Sequence, residues 1–255
     1  MFQKKTPEQI ELMKIAGRIT GEALLYAKEF IKEGVSTKEI DDKIRKYIKK
    51  CGAQPTFLGY NGFPGSACIS VNEEVIHGIP SYKKVLKNGD IVKIDVGASY
   101  RGFTGDSAAT YGVGEISPEA QKLIDVTKES FFKGIEALEK SADPRLGDLG
   151  FGIQNHAESN GFSVVREYTG HGVGAHLHED PNIPNYGRQG VGLRVVPGMT
   201  LAIEPMINQG TRYVRTLNDG WTVVTVDGKL SAHYEHSVAV TENGIILLTQ
   251  VDSHK

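Results

Sequence analysis

The chain has 255 residues, of which 39% are hydrophobic, and a net charge of −2, which allows one large domain or two small ones. The near-neutral charge argues against nucleic-acid binding, and no apolar run reaches the roughly 18 residues of a membrane span. Only Cys51 and Cys68 are present, and the N-terminus lacks the apolar core of a signal peptide. We therefore expect reduced thiols and a cytoplasmic protein.

The first half of the chain predicts two helices followed by strands. Thr6 is a helix N-cap, and the helix is expected to run to about Lys32. Ser36 and Glu39 form a capping box for a second helix, which ends near Gly52. Strands are expected at about 65–72 and 91–96.

The second half repeats this order, with helices from Ser117 to about Glu139 and from about Leu146 to Asn160. Three pairs of residues share an offset of 109 positions: Gly52 and Gly161, Gly89 and Gly198, and Asp95 and Glu204. The offset predicts one domain, 1–255, built from two halves at about 1–112 and 113–255. A pseudo-two-fold axis would relate the halves, and an acidic site would lie between them.

Asp95 and Asp106 flank a predicted hairpin in the string IVKIDVGASYRGFTGDSA. A two-residue turn at Tyr100-Arg101 would make them direct cross-strand neighbours, with Cβ atoms roughly 4.5–5.5 Å apart. A two-residue change of register would still leave both on one face. Asp95 lies in an apolar run that is expected to be buried, so its carboxylate needs a partner. The pair predicts a metal site.

Histidines in a Gly-rich loop supply further candidate ligands. His171 lies within the string TGHGVGAHLHEDP, and a neutral imidazole is a common metal ligand. His176 and His178 follow closely, and composition does not choose among the three.

Two glutamates complete the acidic set. Glu204 ends a predicted strand, and Glu235 precedes a strand at 237–240. The neighbouring His233 and His236 are interpreted as structural or surface residues.

Five strings together resemble the type I methionine aminopeptidases: GFPGSACISVNEEVIHGIP, GDIVKIDVGASYRGFTGDSAAT, TGHGVGAHLHEDPNIPN, LAIEPM and HYEHSVAVTENG. The resemblance covers nearly the whole chain, in order. It implies an α/β (α+β) pita-bread fold, in which two pseudo-two-fold-related halves form a curved antiparallel sheet covered by helices.

The resemblance also implies two divalent metal ions, with Co, Mn or Fe as candidates suited to an oxygen-rich ligand set with one nitrogen. In this pattern Asp106 and Glu235 bridge the metals, Asp95 binds one, and His171 and Glu204 bind the other. His77, His178 and Glu204 are implied as catalytic residues. The implied substrate-contacting residues are Tyr60, Phe63, Cys68, His77, His178 and Trp221, with Trp221 on a strand after the turn at 218–220.

The implied activity is removal of the initiator methionine from nascent proteins and peptides whose second residue is small. A water or hydroxide shared by the two metals would attack the first peptide bond. The implied protein is a monomer that contacts the ribosome transiently and binds no nucleic acid or membrane. The alternatives are an X-Pro dipeptidase or aminopeptidase of the same fold, a non-catalytic binding protein, and an unrelated mononuclear metal hydrolase that would leave the Asp95–Asp106 pair unexplained.

Overall fold

A computed structural model describes residues 3–251 as a mixed α/β structure. Its helices are α1 (Pro7–Lys28), α2 (Thr37–Lys50), α3 (Pro118–Lys140) and α4 (Leu146–Ser159), with a short 3-10 turn at Tyr60–Gly62. Its strands are β1 (Gln54–Pro55), β2 (Ala67–Val71), β3 (Glu74–Ile76), β4 (Ile91–Tyr100), β5 (Phe103–Gly112), β6 (Ser163–Val164), β7 (Gly170–Gly172), β8 (Glu179–Ile183), β9 (Thr200–Ile203), β10 (Met206–Asn208), β11 (Val214–Thr216), β12 (Val223–Thr225), β13 (Ser231–His233), β14 (Glu235–Thr241) and β15 (Gly244–Leu247). None of the helices within residues 3–251 has both the length and the apolar character that crossing a bilayer requires.

A curved antiparallel sheet of nine strands forms the centre of the molecule. Its main path runs β1-β4-β5-β14-β9-β7-β8, with β2 beside β4 and β15 beside β14. Strands from the first half of the chain lie on one side of the β5–β14 junction and strands from the second half on the other. The predicted class, a curved antiparallel sheet covered by helices, is confirmed.

Helix starts follow the predicted caps. The Thr6 hydroxyl accepts a hydrogen bond from the Gln9 amide, and Ser36 and Glu39 form the expected reciprocal box. The end of α1 was predicted four residues too late, since the helix stops at Lys28. Directly beyond it the amides of Glu29, Phe30 and Ile31 donate to carbonyls three residues earlier, so the chain leaves the α-helix through tight turns.

Helix α1 packs directly against the hairpin β4–β5. A Cβ added to Gly105 would lie 2.6 Å from the Gly17 Cα, so only glycine permits this approach. The Thr20 hydroxyl is 3.1 Å from the Gly105 carbonyl and donates to it. The backbone next to Asp106 is therefore held by a helix that lies across the strand.

A buried carboxylate fixes α2 to the start of β2. Asp41 is 1% exposed, and its Oδ1 accepts from the amides of Ser66 at 2.6 Å and Ala67 at 2.9 Å. Its Oδ2 accepts from the Lys38 ammonium at 2.7 Å. This contact positions the strand that carries Cys68.

Replacing Asp41 with Ala would leave two buried amides without an acceptor. We expect a loss of about 3 kcal/mol in the free energy of unfolding, measured by urea denaturation. Asp42→Ala is the matched control, since Asp42 lies one position along the helix and its partners are the Lys38 and Tyr82 side chains rather than buried amides. It should cost less than about 1 kcal/mol. Equal losses for the two variants would contradict the anchoring role of Asp41.

Candidate metal centre and adjoining pocket

The β4–β5 hairpin presents two acidic side chains on one face of the sheet. Asp95 pairs with Ala108, and Gly97 pairs with Asp106, so the predicted direct pairing was wrong by two residues. The turn is formed by Arg101 and Gly102, which both have positive φ, as the two-residue hairpin turn requires. Because the error is even, both carboxylates still share a face, as diagonal neighbours.

Strand β14 brings the third carboxylate beside the hairpin. Glu235 pairs with Ala108, which is also the partner of Asp95, so the two acids flank the same residue on either side. The Ser237 hydroxyl accepts from the Asp106 amide and donates to the Asp106 carbonyl, both at 2.9 Å. The two halves of the chain are therefore tied together at the acidic site.

His171 and Glu204 come from the neighbouring strands. His171 on β7 pairs with Ala202 on β9, and Glu204 directly follows β9. The His171 Nε2 atom lies 3.6 Å from Asp106 Oδ2 and 3.5 Å from Glu204 Oε1. Ligand atoms of Asp106, His171 and Glu235 all lie within 4.8 Å of one another.

The carboxylates of this cluster are buried with too few hydrogen-bond donors around them. Burial raises the pKa of Asp106 to about 7 and raises the pKa values of Asp95, Glu204 and Glu235 well above their usual range. Within residues 3–251, Asp95 Oδ1, Asp106 Oδ1 and Glu235 Oε1 have no hydrogen-bond partner. Divalent cations would satisfy these oxygens and offset their mutual repulsion, so the residues fit a metal centre.

The structure distinguishes the three loop histidines. His171 Nδ1 is 2.9 Å from the Gly172 carbonyl, which places the ring proton there and leaves Nε2 facing the carboxylates as an acceptor. Burial, followed by the proximity of His178, lowers the pKa of His171 to about 4 and keeps its ring neutral. His178 Nδ1 is 2.7 Å from the Tyr60 hydroxyl, and His176 is exposed.

A cavity of about 250 Å³ opens above the acidic cluster. All the predicted site residues contribute to its lining: Tyr60, Phe63, Cys68, His77, Asp95, Asp106, His171, His178, Glu204, Trp221 and Glu235. Phe63, Cys68 and Leu177 belong to one apolar cluster at one end of it. Burial, reinforced by Asp95 and Asp106, raises the pKa of the Cys68 thiol, which stays protonated.

Trp221 lies in the pocket but not on a strand, so this prediction was wrong. It belongs to the turn before β12, where Asp219 Oδ1 accepts from its amide at 2.9 Å. Because that carboxylate accepts the amide hydrogen, the residue is withdrawn from strand pairing. The indole packs edge-on against the Phe63 ring, with 5.1 Å between centroids.

Sequence reasoning missed several residues around the cavity. Phe57, Asn61, Ile76, Tyr168 and Thr169 line it; Thr169 begins the Gly-rich histidine string and Tyr168 precedes it, a position that could have flagged them. His233 is 1% exposed, so it is not a surface residue, and its Nε2 lies 3.7 Å from Glu204 Oε2. His236 lies on the face of β14 opposite to Glu235. It has a structural role because it bonds to Tyr234 and Thr249.

A curved antiparallel sheet that gathers four carboxylates and an imidazole in one cleft defines the site as that of a metal-dependent hydrolase. Residues 11–242 match metallopeptidase family M24, and the chain belongs to that family. Its relatives include methionine aminopeptidase 1 of Bacillus subtilis, 55% identical over 247 residues, with 97% of this chain and 98% of that protein covered.

Solved structures agree on the pita-bread fold. The methionine aminopeptidase of Thermotoga maritima superimposes with a TM-score of 0.95 at 47% identity, covering 98% of this chain and 100% of that one. The prolidase of Pyrococcus furiosus reaches a TM-score of 0.76 at 25% identity, covering 98% of this chain and 66% of the prolidase. The resemblance and the fold predicted from the sequence are confirmed, and the dipeptidase alternative is not favoured.

Replacing Asp106 with Asn should have opposite effects with and without metal. In metal-free protein the variant should be more stable than the wild type at pH 7.5, because a neutral amide replaces a buried carboxylate whose pKa of about 7 leaves it largely ionised at that pH. Adding Mn²⁺ should raise the thermal midpoint of the wild type but not of Asp106→Asn, measured by calorimetry. Asp42→Asn, away from the site, should respond to Mn²⁺ as the wild type does. An equal Mn²⁺ shift in Asp106→Asn would show that Asp106 is not a ligand.

Proposed function

We propose that this chain is a metal-dependent methionine aminopeptidase that removes methionine from the N-terminus of peptides and newly made proteins. The convergence of five ligand-type side chains beside a small apolar pocket carries the proposal. The identity of 55% to a methionine aminopeptidase over nearly the full length of both chains supports the same activity.

We assign the five residues to two divalent metal ions. Asp106 and Glu235 would bridge the ions, Asp95 would bind one, and His171 and Glu204 would bind the other. The unpaired oxygens of Asp95, Asp106 and Glu235 support this assignment. An oxygen-rich set with one imidazole suits Mn, Fe or Co, and these are the metals we propose.

When bound, the ions supply Lewis acidity that polarises a peptide carbonyl and lowers the pKa of water. The chain's own side chains handle the remaining charge and protons. Glu204 would accept the proton of the attacking water and pass it to the leaving amine. His77, which has an unusual φ of 59° in the cavity wall, would contact the scissile nitrogen.

His178 is placed to stabilise charge on the carbonyl oxygen. The Tyr60 hydroxyl lies 2.7 Å from its Nδ1, and a hydroxyl that donates there leaves the ring proton on Nε2. That proton would be donated to the developing oxyanion. Tyr60 thereby orients the His178 ring and selects its protonated nitrogen.

The apolar end of the cavity would accept the methionine side chain. Its walls combine aromatic and small surfaces from Phe57, Phe63, Cys68 and Leu177, with Trp221 packed against them. An unbranched thioether fills such a space well and makes favourable contacts with aromatic rings. A limit to small second residues is part of the same proposal.

The proposed setting is the cytoplasm, where initiator methionine is exposed on new chains. We propose a monomer with one catalytic domain of two halves, about 1–112 and 113–255, that contacts the ribosome transiently. A non-catalytic binding role is less favoured, because all five ligand-type residues are present and face one cavity.

Purified protein should release free methionine from Met-Ala-Ser in a metal-dependent manner. Chelation should abolish the release, and Mn²⁺, Fe²⁺ or Co²⁺ should restore it, as measured by chromatography of the products. An Ala-Pro peptide under the same conditions should remain intact. Preferential cleavage of Ala-Pro would favour the dipeptidase alternative, and no cleavage of either peptide with any metal would favour a binding protein.

Replacing His178 with Ala should lower kcat for Met-Ala-Ser by roughly 100-fold or more, since it removes a donor to the oxyanion. Metal content, measured by plasma mass spectrometry, should be unchanged. His176→Ala is the matched control, because His176 lies in the same loop, is exposed, and contacts Glu179 only through its backbone amide. An unaltered kcat in His178→Ala, or a loss of metal, would refute the assigned role.

A further inference from the structure

His233 is a buried imidazole outside the assigned ligand set. It is 1% exposed, and neither Nδ1 nor Nε2 has a hydrogen-bond partner within residues 3–251. Each unsatisfied buried polar atom costs about 1–3 kcal/mol, so an apolar side chain would fill this space at lower cost. An imidazole at this position is explained by an interaction of one of its ring nitrogens that an apolar side chain could not make.

The backbone holds His233 in a fixed place. The Thr110 hydroxyl donates to the His233 carbonyl at 2.8 Å and accepts from its amide at 2.9 Å. On its other side, His233 pairs with Met206, two residues after Glu204. Both neighbours lie on segments that carry ligand-type residues, so the His233 backbone is held at a fixed position relative to the site.

The Glu204 carboxylate lies between two imidazoles. Its Oε1 is 3.5 Å from His171 Nε2, and its Oε2 is 3.7 Å from His233 Nε2. An N–H···O bond spans about 2.7–3.2 Å, so both contacts are too long to be hydrogen bonds. The terminal torsion of a glutamate is soft, so rotation of the carboxylate is a motion available to bring Oε2 closer to His233 Nε2.

The Glu204 backbone is fixed while its side chain can adjust. The Asn185 amide group donates to the Glu204 carbonyl at 3.0 Å, which holds the end of β9. The side-chain torsions of Glu204, including rotation of its carboxylate, are left free by this bond. A donor on the Oε2 side would set that rotation.

We propose that His233 is a positioning residue for Glu204: its Nε2–H donates to Oε2 and turns Oε1 toward the metal centre. This inference rests on the proposed function, because it assumes that Glu204 is a metal ligand. Ligating carboxylates are commonly held by hydrogen bonds from groups that do not touch the metal. The interaction raises metal affinity and orients the carboxylate for proton transfer.

Two substitutions separate this role from simple packing. His233→Leu fills similar space without a donor, whereas His233→Gln keeps an N–H of similar reach. Isothermal titration of metal-free protein with Mn²⁺ should give roughly 10- to 100-fold weaker binding for His233→Leu. His233→Gln should bind close to the wild-type level. Wild-type affinity in His233→Leu, or equal weakening in both variants, would overturn the proposal.

A measurement on the unaltered residue covers the case in which His233→Leu does not fold. In Mn-free, Zn²⁺-loaded protein, nitrogen NMR should show His233 protonated on Nε2, and Glu204→Gln should shift that resonance. His236, on the opposite face and bonded to Tyr234 and Thr249, is the internal reference and should not shift. A proton on Nδ1 of His233 would overturn the proposal.

The proposed aminopeptidase activity and the positioning role of His233 can be refuted separately. Release of methionine from Met-Ala-Ser by the wild type is measured on the same preparation. No release there would refute the proposed function, whereas the Mn²⁺ affinities and the His233 resonance refute or support its positioning role.

Discussion

The burial of four neighbouring carboxylates in one cleft is the constraint on which this structure depends. Asp95, Asp106, Glu204 and Glu235 share one cleft, where burial raises the pKa of each. Such a cluster opposes folding unless cations compensate it, so the scaffold must hold the acids together from outside. The two halves of the chain do so by contributing two acids each to a single sheet.

The contacts that hold this cluster are mostly backbone contacts. Strands β5 and β14 join beside Asp106 through the Ser237 hydroxyl, and α1 is pressed against Gly105 without an intervening side chain. Neither contact uses the carboxylates themselves, which leaves their oxygens available to metal. The atoms that hold these strands together are therefore different from the carboxylate oxygens that are available to bind metal.

Around the acids, imidazoles are oriented by neighbouring groups that are not among the five ligand-type residues. His171 is set by the Gly172 carbonyl, and His178 is set by the Tyr60 hydroxyl. Our proposal for His233 extends the same principle to a carboxylate. A hydrogen bond at one ring nitrogen or one carboxylate oxygen leaves the other atom to face the centre, and this determines what the residue can do there.

Local features were predictable from the sequence because they depend on neighbours in the chain. The caps at Thr6 and Ser36 and the five ligand-type residues were found in this way, the latter through short strings and a family resemblance. The folded backbone and long-range contacts decided the rest. The end of α1 depends on the tight turns that follow Lys28, and the Asp95–Asp106 register depends on the positive φ of Arg101 and Gly102. The burial of His233 against Glu204 depends on strand pairing between distant segments. The sequence specifies which ligand-type and catalytic-type side chains the chain contains. Only tertiary packing determines which of their polar atoms are buried away from water and must therefore pair with one another.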